Sequence, residues 1–143
     1  MTKVLEGIRV LDFGRYIAGP YCGTLLGDMG AEVIRIEKID GSEDRFLSPI
    51  TDKGDGALFM QLARNKLCMT LNPMKPEGRE IVKKLVATAD IVIANLPPDT
   101  LAKMGLDYES LKAIKEDIIL TTVSAFGRGG PYANRVGFDG LGQ

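Results

Sequence analysis

Short apolar runs alternate along the chain with segments whose apolar residues recur every three or four positions, and that alternation predicts strands and helices in turn. Ile8-Arg9-Val10-Leu11-Asp12-Phe13, bounded by Gly7 and Gly14, is too short and too rich in β-branched residues for a helix and reads as a buried strand. Pro20 opens a helix running through Thr24, Leu25, Leu26 and Met29, and Gly30 suits the left-handed position past its end. Glu32 to Glu37 is a second strand. Residues 38–56, rich in glycine, proline and charge, form a long surface loop. A short helix covers Ala57 to Arg64, and Leu67 to Leu71 is a third extended segment. Pro76 begins an amphipathic helix with Ile81, Val82, Leu85 and Val86 inward and Glu77, Arg79, Lys83 and Lys84 in solvent. Ile91-Val92-Ile93-Ala94 is the clearest strand, Asp99 and Asp107 start two short helices, and Ile118 to Val123 is a further strand before the glycine-rich Gly127 to Pro131. This order predicts an α/β fold with a largely parallel sheet. Residues 134–143 show no frayed polar tail and read as the entry to another element, so the chain is expected to be a fragment of a longer one.

Composition removes several kinds of chemistry. With 18 basic and 19 acidic side chains among 143 residues, the net charge of -1 gives no general field for nucleic acid or an anionic membrane. There is no histidine, which excludes Ser-His or Cys-His nucleophile pairs and His-ligated metal sites within these residues. Cys22 and Cys68 lie far apart without CxxC spacing and read as small core residues in a reducing compartment. No apolar signal region and no run of membrane-spanning length occurs, so a cytoplasmic protein without membrane or nucleic-acid partners is expected.

Ligands of open α/β sheets gather beyond the carboxyl ends of the strands, which directs attention to residues 14–20, 38–45, 71–75, 95–98 and 125–138. Gly14 to Pro20 joins a strand to a helix N-terminus, a setting that favours an anion or simply makes a turn. Its glycines at 14, 19 and 23 do not fit GxGxxG, although Glu37 stands where dinucleotide folds often bind a ribose. Arg15, Lys38, Lys66, Lys75, Lys103 and Arg135 either converge on a polyphosphate or remain separate solvated charges. Asn95 offers a donor and an acceptor directly after the strongest strand, or forms a turn. Among carboxylates, Asp12 shares a strand face with Val10 and is expected to be buried, holding backbone amides of the next loop. Asp139 is expected to cap the next helix.

The residues that follow carry a resemblance. Leu5-x-Gly7-Ile8-x-Val10-Leu11-Asp12-Phe13, Ala18-Gly19-Pro20 and Leu26-Gly27-Asp28-Met29-Gly30-Ala31-Glu32-Val33-Ile34-Arg35-Ile36-Glu37 resemble the amino terminus of the class III coenzyme A transferases, the CaiB/BaiF family. Asn65-Lys66, Pro76-Glu77-Gly78, Ala89 to Asn95, Met104 to Tyr108 and Ser124 to Gly127 extend the likeness over nearly the whole chain. The resemblance implies the N-terminal portion of a Rossmann-like large domain, an intertwined homodimer, and coenzyme A as thioester substrate with no metal. By similarity, CoA would contact Arg15, Ile17, Ala18, Lys38, Leu71, Asn72, Lys75, Asn95, Leu96, Pro97, Lys103 and Arg135. Several members carry Arg where this sequence has Lys38 and Lys103, and Gln where it has Ile17. The family nucleophile is an aspartate located after residue 143, so no catalytic residue is assigned. Acyl-CoA racemases of the same family place a histidine before the aspartate corresponding to Asp139; Phe138 cannot move a proton, which favours transfer over racemisation. A nicotinamide-dependent oxidoreductase and a noncatalytic nucleotide binder are the alternatives from other classes.

Overall fold

The computed structural model describes residues 3–143. Five strands form one sheet: β1 (Arg9–Asp12), β2 (Glu32–Glu37), β3 (Leu67–Thr70), β4 (Ile91–Ala94) and β5 (Ile119–Thr122). Their order is β3-β2-β1-β4-β5 and every pairing is parallel, so all five carboxyl ends share one edge. The helices are α1 (Ala18–Asp28), α2 (Ala57–Leu62), α3 (Pro76–Val86), α4 (Pro98–Met104), α5 (Tyr108–Lys112) and α6 (Asp139–Gly142). The expected α/β architecture with a parallel sheet is therefore present. No helix among the described residues is long and apolar enough to cross a membrane.

Alternation along the strands separates two unlike faces. Leu11, Ile36, Val92 and Ala94 join Val82 and Val86 of α3, Leu101 and Met104 of α4 and Leu111 of α5 in the main core. On the opposite face, Val10, Val33 and Ile93 pack against Leu26 and Cys22 of α1. Two residues further along the same rows, Asp12 and Arg35 replace the apolar side chains, both fully buried and paired in register. This face thus turns from apolar to charged as it approaches the carboxyl edge.

Helix α1 begins two residues before the expected Pro20 because that proline fits within its first turn, where no intrahelical N–H partner is lost. Its glycines at 19, 23 and 27 recur every fourth residue and face inward. Asp107 caps α5 as expected, its carboxylate accepting the Ser110 amide at 3.1 Å. Asp99 lies one residue inside α4, whose cap is Pro97. Three expectations are corrected, two of packing and one of capping. Ile81 is exposed, since the buried stripe of α3 runs through Gly78, Val82 and Val86. Cys68 is exposed because β3 is an edge strand, and Cys22 is only half-buried. Asp139 is the first residue of α6 rather than its cap, which is Phe138.

Candidate functional site

The loop after β1 is held from three sides. Asp12 Oδ1 accepts the Gly14 amide at 2.8 Å, which is the role expected of that carboxylate, and its Oδ2 accepts from Lys66 Nζ at 2.8 Å. Lys66 also donates to the Pro20 carbonyl at 2.6 Å. From the tip of β4, Asn95 accepts the Arg15 amide through Oδ1 and donates to the Arg15 carbonyl through Nδ2. Glycine is required beneath this loop by space: a Cβ on Gly14 would lie 2.7 Å from both Asp12 Oδ1 and Pro20 Cδ. These glycines do the close-packing work of a dinucleotide fingerprint at a different spacing. Within the loop Tyr16 sits at φ 59°, an uncommon conformation for a bulky residue. Its ring meets Phe138 edge to face at 5.5 Å.

The loop presents free backbone amides and the exposed Ile17, while its guanidinium turns back onto the backbone. Arg15 Nη1 lies within 3.1–3.3 Å of the carbonyl oxygens of Phe13, Gly14 and Ile36, gathering the ends of β1 and β2. Burial pulls the Arg15 pKa below its ordinary value, with Glu43 opposing. Ile17 and Ala18 are exposed at the start of α1, and their amides find no acceptor among the described residues. The first turn of a helix leaves such donors free, and the helix dipole adds positive potential there.

Beyond β2 lies a network of four charges. Arg35 donates to both oxygens of Asp44 at 2.8 and 2.7 Å, and Arg45 forks onto Glu37 through two contacts of 2.7 Å while lying 3.8 Å above the Phe59 ring. Glu37 also accepts the Ser42 amide at 3.1 Å. Burial by itself would raise the Glu37 carboxyl, but Arg45, the Ser42 amide and Arg35 together hold it below the ordinary range. Glu37 is therefore committed inside the protein and is not available to a ribose, which removes the main support for a nicotinamide site. Lys66 is likewise withdrawn from any phosphate by its pairing with Asp12. Lys38 remains at the surface, paired with Glu43.

At the end of β3, the Leu71 side chain is in the main core, leaving its backbone at the edge, while Asn72 Oδ1 accepts the Met74 amide at 3.0 Å in a tight turn. Lys75 is exposed as the cap of α3. After β4, Leu96 and Pro97 are half-buried, and Lys103 is exposed with its carbonyl held by Arg79 of α3 at 2.6 Å. Arg135 stacks over Tyr132 at 4.3 Å in the exposed segment after β5. A cleft of about 300 Å³ opens between Leu96, Tyr108, Thr122 and Arg128. The fold thus gathers the loops carrying Arg15, Lys38, Asn72, Lys75 and Asn95 along one edge. Neither Lys75 nor Lys103 has a carboxylate partner among the described residues. Those cations and the free amides of Ile17 and Ala18 suit an anionic ligand. No group of three or more Cys, Asp or Glu suited to a metal ion occurs among the described residues.

The Asp12–Lys66 pair, the left-handed Tyr16 and the Arg35–Asp44 link are features of this edge that the sequence reading did not assemble. The sequence signals for the first were the expected burial of Asp12 and the four-residue spacing of Gly19, Gly23 and Gly27, which brings α1 close enough to cover the pair.

Residues 5–143 match the family described as CoA-transferase family III. A succinate–glutarate CoA-transferase of Agrobacterium fabrum is 41% identical over 142 residues, covering 94% of this chain and 36% of the relative. A succinyl-CoA–D-citramalate CoA-transferase of Chloroflexus aurantiacus is also 41% identical over 142 residues, covering 99% of this chain and 35% of the relative. The crystal structure of a CaiB/BaiF family protein from Brucella suis superposes with a TM-score of 0.91 at 41% identity, covering 99% of this chain and 38% of that one. The chain spans about a third of the length of the curated relatives it matches.

Proposed function

Because the chain belongs to CoA-transferase family III, we propose that it is the amino-terminal, CoA-binding part of an enzyme that moves CoA from an acyl-CoA thioester to a carboxylic acid. The observation that carries this reading is the loop after β1, fastened by Asp12 and Asn95 so that the Ile17 and Ala18 amides remain free at the carboxyl edge. Arg15, Lys38, Lys75, Lys103 and Arg135 would meet the phosphates. Leu71, Asn72, Asn95, Leu96 and Pro97 would line the path of the nucleotide, and the two free amides would stabilise the thioester oxyanion, worth about 3 kcal/mol per donor.

The acyl exchange itself falls to an aspartate outside these residues. Its carboxylate attacks the thioester and displaces the CoA thiolate; the thiolate then attacks the aspartyl side of the anhydride, releasing the first acid. The second acid regains CoA by the reverse sequence. No proton carrier is needed, which accords with a chain lacking histidine. Position 138 faces the first loop through Tyr16, and phenylalanine there supplies no base for racemisation. The enzyme works as an intertwined homodimer in the cytoplasm, where Cys22 and Cys68 stay reduced.

The names of the relatives direct the assay to succinyl-CoA with short dicarboxylic acids. The full-length enzyme is expected to form a new thioester, detected by chromatography, and to carry a covalent CoA adduct by mass spectrometry during turnover. Turnover without an adduct would overturn the aspartyl route. Solvent deuterium at the substrate α-carbon, or oxidation of added NAD(P)H, would overturn transfer itself.

A further inference from the structure

Lys66 has no part in the reading above, yet its side chain and that of Asp12 are both completely buried. Its ammonium binds Asp12 Oδ2 on the strand side of the loop and the Pro20 carbonyl on the helix side. The other oxygen of Asp12 takes the Gly14 amide. Helix α1 is seated directly on the pair: a Cβ at Gly23 would lie 3.0 Å from Asp12 Oδ2 and 3.2 Å from Lys66 Nζ. Stability alone does not account for this arrangement, because a buried ion pair can usually be replaced by apolar side chains of similar volume without loss. Apolar packing lacks directional bonds to the backbone at both feet of one loop.

We propose that Lys66 is a positioning residue, which fixes the direction of the Ile17 and Ala18 amides by tying Gly14, through Asp12, to Pro20. The inference rests on the proposed transferase only in naming what the loop is positioned for. In the full-length enzyme without ligand, Lys66→Met should speed amide hydrogen exchange in peptides spanning residues 13–21 by at least about tenfold, with strand β4 unchanged. In turnover it should lower kcat at least about tenfold while the KM of the acceptor acid stays within about threefold. Wild-type exchange in the loop, equal acceleration in β4, or an unchanged kcat would each overturn the proposal. Should that variant fail to fold, Asp12→Asn combined with Lys66→Met removes both charges and keeps an acceptor for Gly14. It should still loosen the Pro20 side, and wild-type exchange and kcat in it would be equally fatal. A wild-type enzyme that exchanges normally but transfers no CoA would refute the transferase reading, while loop exchange would still decide the role of Lys66.

Discussion

Asn95 spans residue Arg15 from amide to carbonyl, accepting from one at 2.6 Å and donating to the other at 2.7 Å. One side chain from the tip of β4 thereby substitutes for a strand neighbour and holds the loop after β1 in place. Asn95→Ala should lose about 1–3 kcal/mol of unfolding free energy, read from urea denaturation, because two partly buried bonds go at once. Asn95→Asp keeps the acceptor but points an anion at a carbonyl oxygen, so it should fare no better. Wild-type urea midpoints for both variants would show that the clamp is idle.

The closest approach among the glycines is at Gly78, where an added Cβ would lie 2.0 Å from the Asn72 carbonyl oxygen. That contact seats the first turn of α3, and with it Lys75, against the end of β3. Gly78→Ala must move backbone and should destabilise by about 1–3 kcal/mol or more. Gly130→Ala meets nothing within 4 Å and should change stability by less than about 0.5 kcal/mol. Equal thermal midpoints for the two variants would contradict this packing.

Much of this architecture follows from local pattern. The apolar runs at 8–13, 32–37 and 91–94 contain β1, β2 and β4, and Asp12 was readable as an acceptor for loop amides because it shares a face with Val10. Lys66 was not readable as its partner. A lysine in a polar turn has the local signature of a solvated charge, and only the approach of α1, whose Pro20 lies 46 residues earlier, buries it. Glu37 misled for a related reason, since its place at the end of β2 suits a ribose until Arg45, eight residues on, folds back over it. The exposure of Cys68 depends on strand order, which periodicity within one strand does not encode.

The carbonyl cluster around Arg15 Nη1 leaves its other nitrogens for an anion, whereas Lys38 already has Glu43. In the full-length enzyme Arg15→Ala should therefore weaken CoA binding more, at least about tenfold, than Lys38→Ala, about threefold. Calorimetry at two salt concentrations checks both, since loss of a phosphate contact also flattens the salt dependence. Affinities equal to wild type would remove these residues from the proposed site.

Glu37 anchors the segment that carries Lys38, and its folded carboxyl lies below the ordinary value of 4.5. A carboxylate whose pKa falls on folding adds stability that is complete above its unfolded value and is lost as pH drops through the folded one. Glu37→Gln removes the charge and should destabilise the protein near neutrality by about 1–3 kcal/mol, the cost of leaving the buried Arg35 and the partly exposed Arg45 short of an anionic partner. Between pH 7 and 5 the gap between wild type and variant should hold constant. Below 4.5 it should narrow, because protonated Glu37 then resembles the glutamine. Denaturant titrations across that range measure the gap directly, and one that widens on acidification would mean that Arg45 and Ser42 do not stabilise the ionised form.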